Sequence, residues 1–391
     1  MTAAPLEPPV LDVDLLLDDM STSIIVCCGS GGVGKTTTAA ALALRAAERG
    51  RRVVVLTIDP ARRLAQAMGL EALDNTPRPV DGIDESAGGS LDAMMLDMKR
   101  TFDEVVEAHA SPEKAAQILA NPFYQAVSTS FSGTSEYMAM EKLGQLRAQA
   151  SVQGGSGAQP WDLIVVDTPP SRSALDFLDA PRRLSSFLDG RFIRLLMAPA
   201  KASGRAYMKV FTGAVGGVTS VMTRLLGAQV LQDVQTFVAA MDTMFGGFRE
   251  RAEATYSMLA DAGTSFIVVA APDPDSLREA SYFVERLSTE DMPLEGLVLN
   301  RVTTTPVPTL SAERALAAAE DLEEDGAHAV TAGLLRLHGR RMQRRAREQS
   351  VASRFFAAHP RVPVAQVRAR PGDVHDLDGL RSVGDDLAAS A

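Results

Sequence analysis

A glycine-rich stretch near the start of the chain, GSGGVGKTT, has the residue types and the spacing that bind phosphate. Its core fits the pattern G-x-x-x-x-G-K-[ST] from Gly29 to Thr36. Glycines let the backbone curve closely around phosphate oxygens, and the lysine supplies a compact positive charge for them. The sequence therefore predicts a nucleotide-phosphate site formed by Gly29, Ser30, Gly31, Gly32, Val33, Gly34, Lys35, Thr36 and Thr37.

Two carboxylates follow apolar runs and are candidates for the chemistry on that phosphate. Asp167 ends the run WDLIVVD, and we expect it to hold Mg²⁺ through water while the Thr36 hydroxyl ligates the same ion. Asp59 ends the run VVVLTID, and we expect it to orient an attacking water beside the phosphate-binding Lys35. The residue types leave a turn at Asp167 and a helix cap at Asp59 open as alternatives.

The elements that must position these residues follow from the apolar patterns. STSIIVCC from Ser21 is a strand run, the glycine loop opens the helical stretch TTTAAALALRAAERG, and a second strand run begins at Arg52. A strand, a helix and a strand in that order form a βαβ unit, which implies a parallel sheet. Further short buried-strand runs are LIVVD, SFIVVAA, LEGLVLN and VPVAQV.

Long helical stretches separate some of these runs. We predict helical insertions at about 91–150 and 181–262, and a third helical stretch at about 311–358. The first two are too long for simple crossovers, so they indicate a helical subdomain. Residues 1–20 are acidic and contain proline, which predicts a flexible tail with at most one short helix. Residues 21–391 would then form one P-loop domain.

Composition limits the classes of function. The net charge of −10 disfavours nucleic acid as a partner, because phosphate attraction needs clustered Lys and Arg. No run approaches the roughly 20 apolar residues that span a bilayer, so no transmembrane segment is expected. The two cysteines are adjacent, which gives no disulfide framework and favours a reducing compartment. These features predict a cytoplasmic protein, with a peripheral position at the membrane as the alternative.

Five motifs in order carry a family resemblance. They are GSGGVGKTT, IDPARRLAQAMGL, DTPPSRSALDFLDAP, VVAAPDPDSLREASYFVERL and LVLNR. With them the chain resembles the anion-transporting (arsenite-pump) ATPase family, which includes ATPases that deliver tail-anchored membrane proteins. The resemblance runs from Ser21 to Asp386. It implies an α/β fold with a doubly wound, mostly parallel sheet of the P-loop NTPase type, an inserted helical subdomain, ATP and Mg²⁺ as cofactors, and a dimer.

The resemblance also assigns residues. Asp59 matches the family's water-positioning aspartate, and Asp167 begins its second switch. Asn300 matches the asparagine that reads adenine, and an amide offers the donor and the acceptor that this base needs. A turn former at the end of a strand is the alternative for Asn300. The late stretch VPVAQVRARPGDVHDLDGL places Pro371 and Asp373 near the base.

One departure from the family changes the expected mechanism. Ser30 stands where the family has a lysine that reaches the partner subunit's nucleotide, and Arg62 and Arg172 are candidates to replace that charge. Three hypotheses follow. The chain is a hydrolysing ATPase dimer coupled to a partner or client, or a weakly hydrolysing subunit of a heterodimer with a lysine-bearing relative, or a membrane-protein targeting module in which ATP only sets conformation.

Metal-binding variants of the family are disfavoured. The zinc-binding C-x-x-C pair of the targeting members is missing from the corresponding stretch GLLRLHGRRMQRRARE. Cys27 and Cys28 should point to opposite faces of a strand, so they cannot clamp arsenite together.

Two further patterns leave alternatives open. Many of the 16 methionines lie in the helical stretches, where they fill a core or line a client groove. The basic run GRRMQRRAR, from Gly339, is typical of a solvated helix face. Contact with acidic lipid or with an acidic partner is the alternative.

Overall fold

The protein was studied as a computed structural model, which describes residues 8–58, 63–122, 124–125, 128, 134–152, 161–169, 250–251, 253–324 and 328–389. The strands are β1 (Ile24–Gly29), β2 (Arg52–Thr57), β3 (Arg78–Pro79), β4 (Ser90–Met95), β5 (Leu163–Asp167), β6 (Thr264–Ala270), β7 (Leu294–Val302) and β8 (Val364–Arg368). The helices are α1 (Val13–Asp18), α2 (Lys35–Glu48), α3 (Arg63–Ala67), α4 (Met98–His109), α5 (Pro112–Leu119), α6 (Thr134–Val152), α7 (Pro274–Thr289), α8 (Ala312–Glu324), α9 (Ala329–Ala358) and α10 (Leu377–Ala388).

The strands form a single sheet in the order β3-β4-β2-β5-β1-β6-β7-β8. Every neighbouring pair is parallel except β3 with β4. The chain builds outward from β1 in both directions, first towards β2 and β4 and later towards β6, β7 and β8. The predicted α/β fold with a doubly wound, mostly parallel sheet is therefore confirmed.

The central strands are buried along their whole length. Every residue of β1, β5 and β6 is buried, as expected for parallel strands that are covered on both faces. Parallel pairing brings the carboxyl ends of these strands to one edge of the sheet. β1 runs into the glycine loop there, and β5 ends in Asp167 at the same edge.

Two local expectations are wrong. The short helix that the sequence allows within residues 1–20 is present as α1. It buries Val13, Leu16 and Leu17, and the Asp14 carboxylate accepts hydrogen bonds from Arg45, so a flexible tail over residues 8–20 is wrong. The first helical stretch does not begin at residue 91, because Ser90–Met95 pairs with β2 as a strand. In both places the local sequence is only partly apolar, and contacts with residues distant in the chain stabilise the observed element.

The chain divides into two compact units. The first comprises residues 1–95, 150–175 and 259–391 and holds the sheet, and the second comprises residues 96–149 and 176–258. Most of the predicted insertion at 181–262 lies outside the described residues. The domain bounds given above therefore stay a prediction. No helix within the described ranges has both the length and the apolarity to cross a membrane.

Candidate nucleotide site

The glycine loop lies between β1 and α2, and two of its glycines are required by the geometry. Gly34 has φ 97° and Gly29 has φ 149°, both in the positive-φ region that favours glycine. A Cβ at Gly34 would lie 2.2 Å from Asn300 Nδ2, and one at Gly29 would lie 2.1 Å from the Val269 carbonyl oxygen. The loop conformation therefore depends on the absence of side chains at these positions.

Lys35 is the first residue of α2 and is buried. Its Nζ donates a hydrogen bond to the Ser30 carbonyl oxygen at 2.8 Å. The ammonium group is therefore held across the glycine loop, where the motif needs a positive charge.

Thr36 and Asp167, the two predicted Mg²⁺ ligands, are in direct contact. The Thr36 Oγ1 donates to Asp167 Oδ2 at 2.8 Å, and Asp167 is fully buried. Thr57, at the end of β2, donates its Oγ1 to the same carboxylate oxygen at 2.9 Å. The sequence reasoning missed Thr57, although its place two residues before Asp59 was a usable signal. Hydroxyl and carboxylate oxygens are the hard donors that Mg²⁺ prefers, so this donor set fits the ion.

Asn300 lies beneath the glycine loop. Its Nδ2 donates to the Val33 carbonyl oxygen at 2.8 Å, and its Oδ1 accepts from the Arg301 backbone N–H at 2.8 Å. A side-chain amide has two N–H groups and two acceptor lone pairs, so these two bonds use one of each. Asn300 therefore ties β7 to the phosphate loop, a contact that the sequence did not predict.

A cavity of about 430 Å³ opens beside the loop. Its lining comprises Gly32, Gly34, Lys35, Thr36 and Thr37 of the loop region, Arg63, Gln66 and Ala67 of α3, and Arg301, Asp373, Val374 and His375. Asp373 is one of these residues, whereas Asn300 and the exposed Pro371 are not among the described residues of the lining. The proximity of Pro371 and Asp373 to a base stays a prediction. Sequence reasoning missed Arg63, Arg301 and His375, whose polar side chains also line the cavity.

Buried carboxylates fix two segments that contribute to the cavity lining, the end of β7 with Arg301 and the stretch 371–375. Glu348 of α9 accepts from the Thr303 backbone N–H at 2.9 Å and from its hydroxyl at 2.7 Å. Asp386 of α10 accepts from the Arg368 Nε at 2.7 Å and lies 3.0 Å from Arg370. Thr303 follows Arg301 after β7, and Arg370 precedes the segment 371–375. Both segments are therefore held by buried carboxylates, one on α9 and one on α10.

Ser30 is buried within its own chain. Its Oγ lies 3.3 Å from the Ser276 Oγ, and Ser276 in turn accepts from the Ala271 backbone N–H at 2.9 Å. The side chain is neutral and packs at the first turn of α7. Asp59, Arg62 and Arg172 lie outside the described residues.

The two cysteines of β1 are fully buried. Burial raises the pKa of the Cys27 thiol well above its usual range, and the nearby Asp167 carboxylate adds to the shift. Burial raises the pKa of Cys28 to about 12. Buried structural thiols of this kind are inert, so neither cysteine is a good candidate ligand for a soft metal.

The doubly wound sheet, the glycine loop and the Thr36–Asp167 contact define a P-loop protein of the nucleoside-triphosphate-binding class. A family model described as "Anion-transporting ATPase" matches residues 22–318. The chain belongs to the anion-transporting ATPase family, and the predictions of that family and of an ATPase are confirmed.

Relatives of known name agree with this assignment. The chain is 25% identical to "ATPase get3" of Schizosaccharomyces japonicus over 77% of this chain and 81% of the relative. It is 26% identical to "ATPase GET3" of Malassezia globosa over 77% of this chain and 78% of the relative. It is also 31% identical to an "Arsenical pump-driving ATPase" of Acidiphilium multivorum, over 41% of this chain and 26% of that protein.

Proposed function

We propose that the protein is a dimeric, Mg²⁺-dependent ATPase whose nucleotide state changes its conformation and thereby its interaction with a partner or client protein. The observation that carries the enzymatic part is the meeting of Thr36 and Asp167 at 2.8 Å beside the loop that Lys35 spans. Hydroxyl, carboxylate and ammonium groups then lie together where a P-loop protein handles the terminal phosphates.

Each residue of the nucleotide site has its own role in this proposal. Lys35 and the backbone N–H groups of residues 29–37 bind the phosphates, and Thr36 with Asp167 holds Mg²⁺. Mg²⁺, when bound, neutralises charge on the terminal phosphates. Thr57 orients the Asp167 carboxylate by its hydrogen bond. We assign water positioning to Asp59.

The base would occupy the part of the cavity that Arg301, Asp373 and His375 line. The amide N–H and lone pair that Asn300 keeps after its two internal bonds suit a base edge that offers one acceptor and one donor. Adenine has such an edge, and guanine reverses it. We therefore propose ATP rather than GTP as the substrate, with Pro371 next to the segment that packs on the base.

The phosphate assignment is tested by Lys35→Ala. Removing the only loop ammonium should lower the ATP affinity by at least about 100-fold, because a charge-assisted hydrogen bond is worth about 1.5–3 kcal/mol and the triphosphate also loses its neutralising charge. Calorimetry with ATP and Mg²⁺ measures this. Lys99→Ala removes an exposed lysine of α4 and is the matched control. Unchanged ATP affinity in Lys35→Ala would overturn the proposal.

A second candidate function is a weakly hydrolysing subunit of a heterodimer with a lysine-bearing relative. The specific observation is that Ser30 offers a buried neutral hydroxyl, held against Ser276, where the family has its lysine. The alternative is a self-sufficient homodimer in which Arg62 or Arg172 supplies the charge. Stoichiometric co-purification of a lysine-bearing relative from the native cell would favour the heterodimer.

The relatives favour a protein over an inorganic anion as the client. Two of them that align over most of this chain are named ATPase GET3 or get3, whereas the arsenical pump-driving ATPase aligns over less than half of it. The protonated, buried thiols also disfavour arsenite. We therefore propose a membrane-protein or other protein client and a cytoplasmic protein that acts at the membrane periphery. Co-purification of an inorganic anion in place of a protein would contradict this.

A further inference from the structure

Helix α9 carries large apolar side chains on its outer surface. Val330 is 79% exposed, Leu334 is 62% exposed and Leu337 is 50% exposed. Their spacing of four and three residues places them on one helix face. Burial of these side chains against a partner surface would be favourable. Apolar side chains that cluster on one exposed face therefore indicate a binding surface.

Between residues 330 and 339, the apolar face of α9 is not the face that packs on the protein. Ala332 and Gly339 are buried, and each lies two residues after a member of the stripe, about 200° around the helix. A Cβ at Gly339 would lie 2.7 Å from Leu316 Cγ, so α8 covers that opposite side closely. The stripe of Val330, Leu334 and Leu337 therefore points away from α8.

The same helix is strongly cationic. It contains seven arginines and one acidic residue, Glu348, which is buried. Arg336 pairs with Glu323, and Arg344 pairs with Glu348. Four further arginines between residues 340 and 347 form no ion pair with a described residue. Those are Arg340, Arg341, Arg345 and Arg347. This concentration of charge stands out in a chain whose net charge is −10.

The charges continue the apolar stripe along the helix. Arg341 lies four residues after Leu337, on the same face, and Arg345 lies four residues after Arg341. Arg340, Arg341 and Arg345 spread over about 140° of the helix circumference. From Val330 to Arg345 this face is therefore apolar at one end and broadly cationic at the other, and no acidic side chain is exposed along α9. Further along the helix, Glu348 and Ala352 lie on the same face and are buried.

We propose that this face of α9, defined by Val330, Leu334, Leu337, Arg340, Arg341 and Arg345, binds an anionic lipid surface. Lipid phosphates match a broad arc of arginines, whose long apolar stems can lie along the interface, and the aliphatic side chains enter the acyl boundary. The apolar and the cationic parts of this one helix face match the acyl boundary and the phosphates of a single lipid surface. This site is separate from the nucleotide cavity, whose described lining contains no residue of α9.

Vesicle co-sedimentation of the full chain tests the proposal. The protein should bind vesicles of phosphatidylcholine mixed with phosphatidylglycerol and bind weakly to phosphatidylcholine alone, and added salt should weaken the binding. Arg341→Gln should lower the affinity roughly five-fold, the effect of one cation near an anionic surface. Leu334→Asn should lower it by about ten-fold or more, because an apolar side chain no longer enters the boundary.

Matched variants separate the helix face from general charge and hydropathy. Arg78→Gln removes one arginine from β3, the edge strand at the other end of the sheet from β8. Leu15→Asn removes an aliphatic side chain of α1 that is 69% exposed. Both should bind vesicles as the parent does, and the ATPase rates of all four variants should match the parent's.

Three outcomes would overturn the proposal. The first is equal binding to neutral and anionic vesicles, or binding to neither. The second is an equal effect of the control variants. The third is a dimer that Leu334→Asn dissociates in analytical ultracentrifugation while vesicle binding is unchanged, which would assign the face to contact between copies.

Discussion

At the scale of single residues, Asn300 has an internal contact beside the role in base recognition that we propose for it. Its amide was predicted to read the base, yet its Nδ2 also holds the Val33 carbonyl of the phosphate loop. Asn300→Ala should therefore weaken binding of ATP, of GTP and of tripolyphosphate, which has no base. A lost hydrogen bond of about 1 kcal/mol corresponds to roughly five-fold for tripolyphosphate. The additional loss for ATP should narrow any preference over GTP.

Calorimetry with the three ligands separates these roles. Tripolyphosphate affinity that stays at the parental value would show that the Val33 contact does not shape the loop. An unchanged ratio of ATP to GTP affinity would remove Asn300 from base recognition.

Thr57 gives a second prediction at this scale. Thr57→Val keeps the shape of the side chain but removes the hydroxyl that donates to Asp167 Oδ2. The carboxylate then loses one of its two orienting threonines, so ATP turnover should fall and its Mg²⁺ requirement should rise, each by about five- to ten-fold. Titration of the steady-state rate with Mg²⁺ at saturating ATP measures both.

Thr38→Val is the matched control for this variant. Thr38 is equally buried, but its Oγ1 makes no hydrogen bond with the described residues. It should keep the parental Mg²⁺ dependence. If Thr57→Val also kept it, Thr57 would have no part in orienting the carboxylate.

At the scale of elements, the sequence predicted the strands and helices that a continuous local apolar pattern determines. The strands around LIVVD and LEGLVLN, and the helix after the glycine loop, are continuous patterns that fix their own structure. Ser90–Met95 was missed because its apolar residues are interrupted by Asp92, whose carboxylate accepts from Trp161 Nε1 at 2.6 Å. That pairing joins residues 69 positions apart, so no local pattern indicates it.

The candidate site shows the same division. Lys35, Thr36 and Asp167 were predictable because each lies at the end of a strand or the start of a helix in a known motif. The Asn300–Val33 bond joins residues 267 positions apart, and the Glu348–Thr303 bonds join residues 45 apart. Such contacts depend on how elements pack, and residue spacing does not encode that packing.

Helix α1 provides a prediction at this scale, because polar contacts hold it to α2. The Asp14 carboxylate accepts from Arg45 at 2.6 and 2.9 Å and lies 3.3 Å from Arg49. The hydrogen bond from Arg45 lowers the pKa of Asp14 below its ordinary value of 3.8 and outweighs the opposing effect of burial. A lowered carboxyl pKa stabilises the folded state above pH 3.8, and that stabilisation is lost as the pH falls through the lower folded value.

Hydrogen exchange in α1 checks this expectation. Asp14→Asn should speed exchange of the α1 amides roughly five-fold at neutral pH, which corresponds to about 1 kcal/mol for a partly exposed bidentate pair. The variant should also remove part of the acid sensitivity of α1. Asp18→Asn breaks a more exposed contact with Arg49 and should have a smaller effect. Equal effects of the two variants would contradict the special role of Asp14.

At the scale of the whole molecule, the residue at position 30 bears on which cation stabilises the charge of the transition state. A cationic group that stabilises phosphoryl transfer is worth about 10³-fold or more in rate. In this chain the family's lysine position holds Ser30, which is buried against Ser276 and carries no charge. A homodimer would therefore need another cation, and Arg62 and Arg172 are the candidates that the sequence offers.

Ser30→Lys distinguishes these arrangements. The longer side chain must leave the contact with Ser276, and in a dimer it can then reach the partner's phosphates. If the charge is missing from the parental homodimer, single-turnover ATP hydrolysis should rise by up to about 10³-fold. Ser30→Met is the matched control, because it breaks the same contact with a side chain of similar length and no charge.

Mixing experiments extend the same test to the heterodimer. A related chain that bears the lysine should raise hydrolysis by the parental chain as strongly as Ser30→Lys does, because the parental site keeps Lys35, Thr36 and Asp167. Lys35→Ala in this chain should abolish that gain if the hydrolysed ATP is bound here. Fast parental turnover that neither Ser30→Lys nor the related chain increases would show that the homodimer already contains its cation. Arg62→Ala and Arg172→Ala would then identify which arginine supplies it.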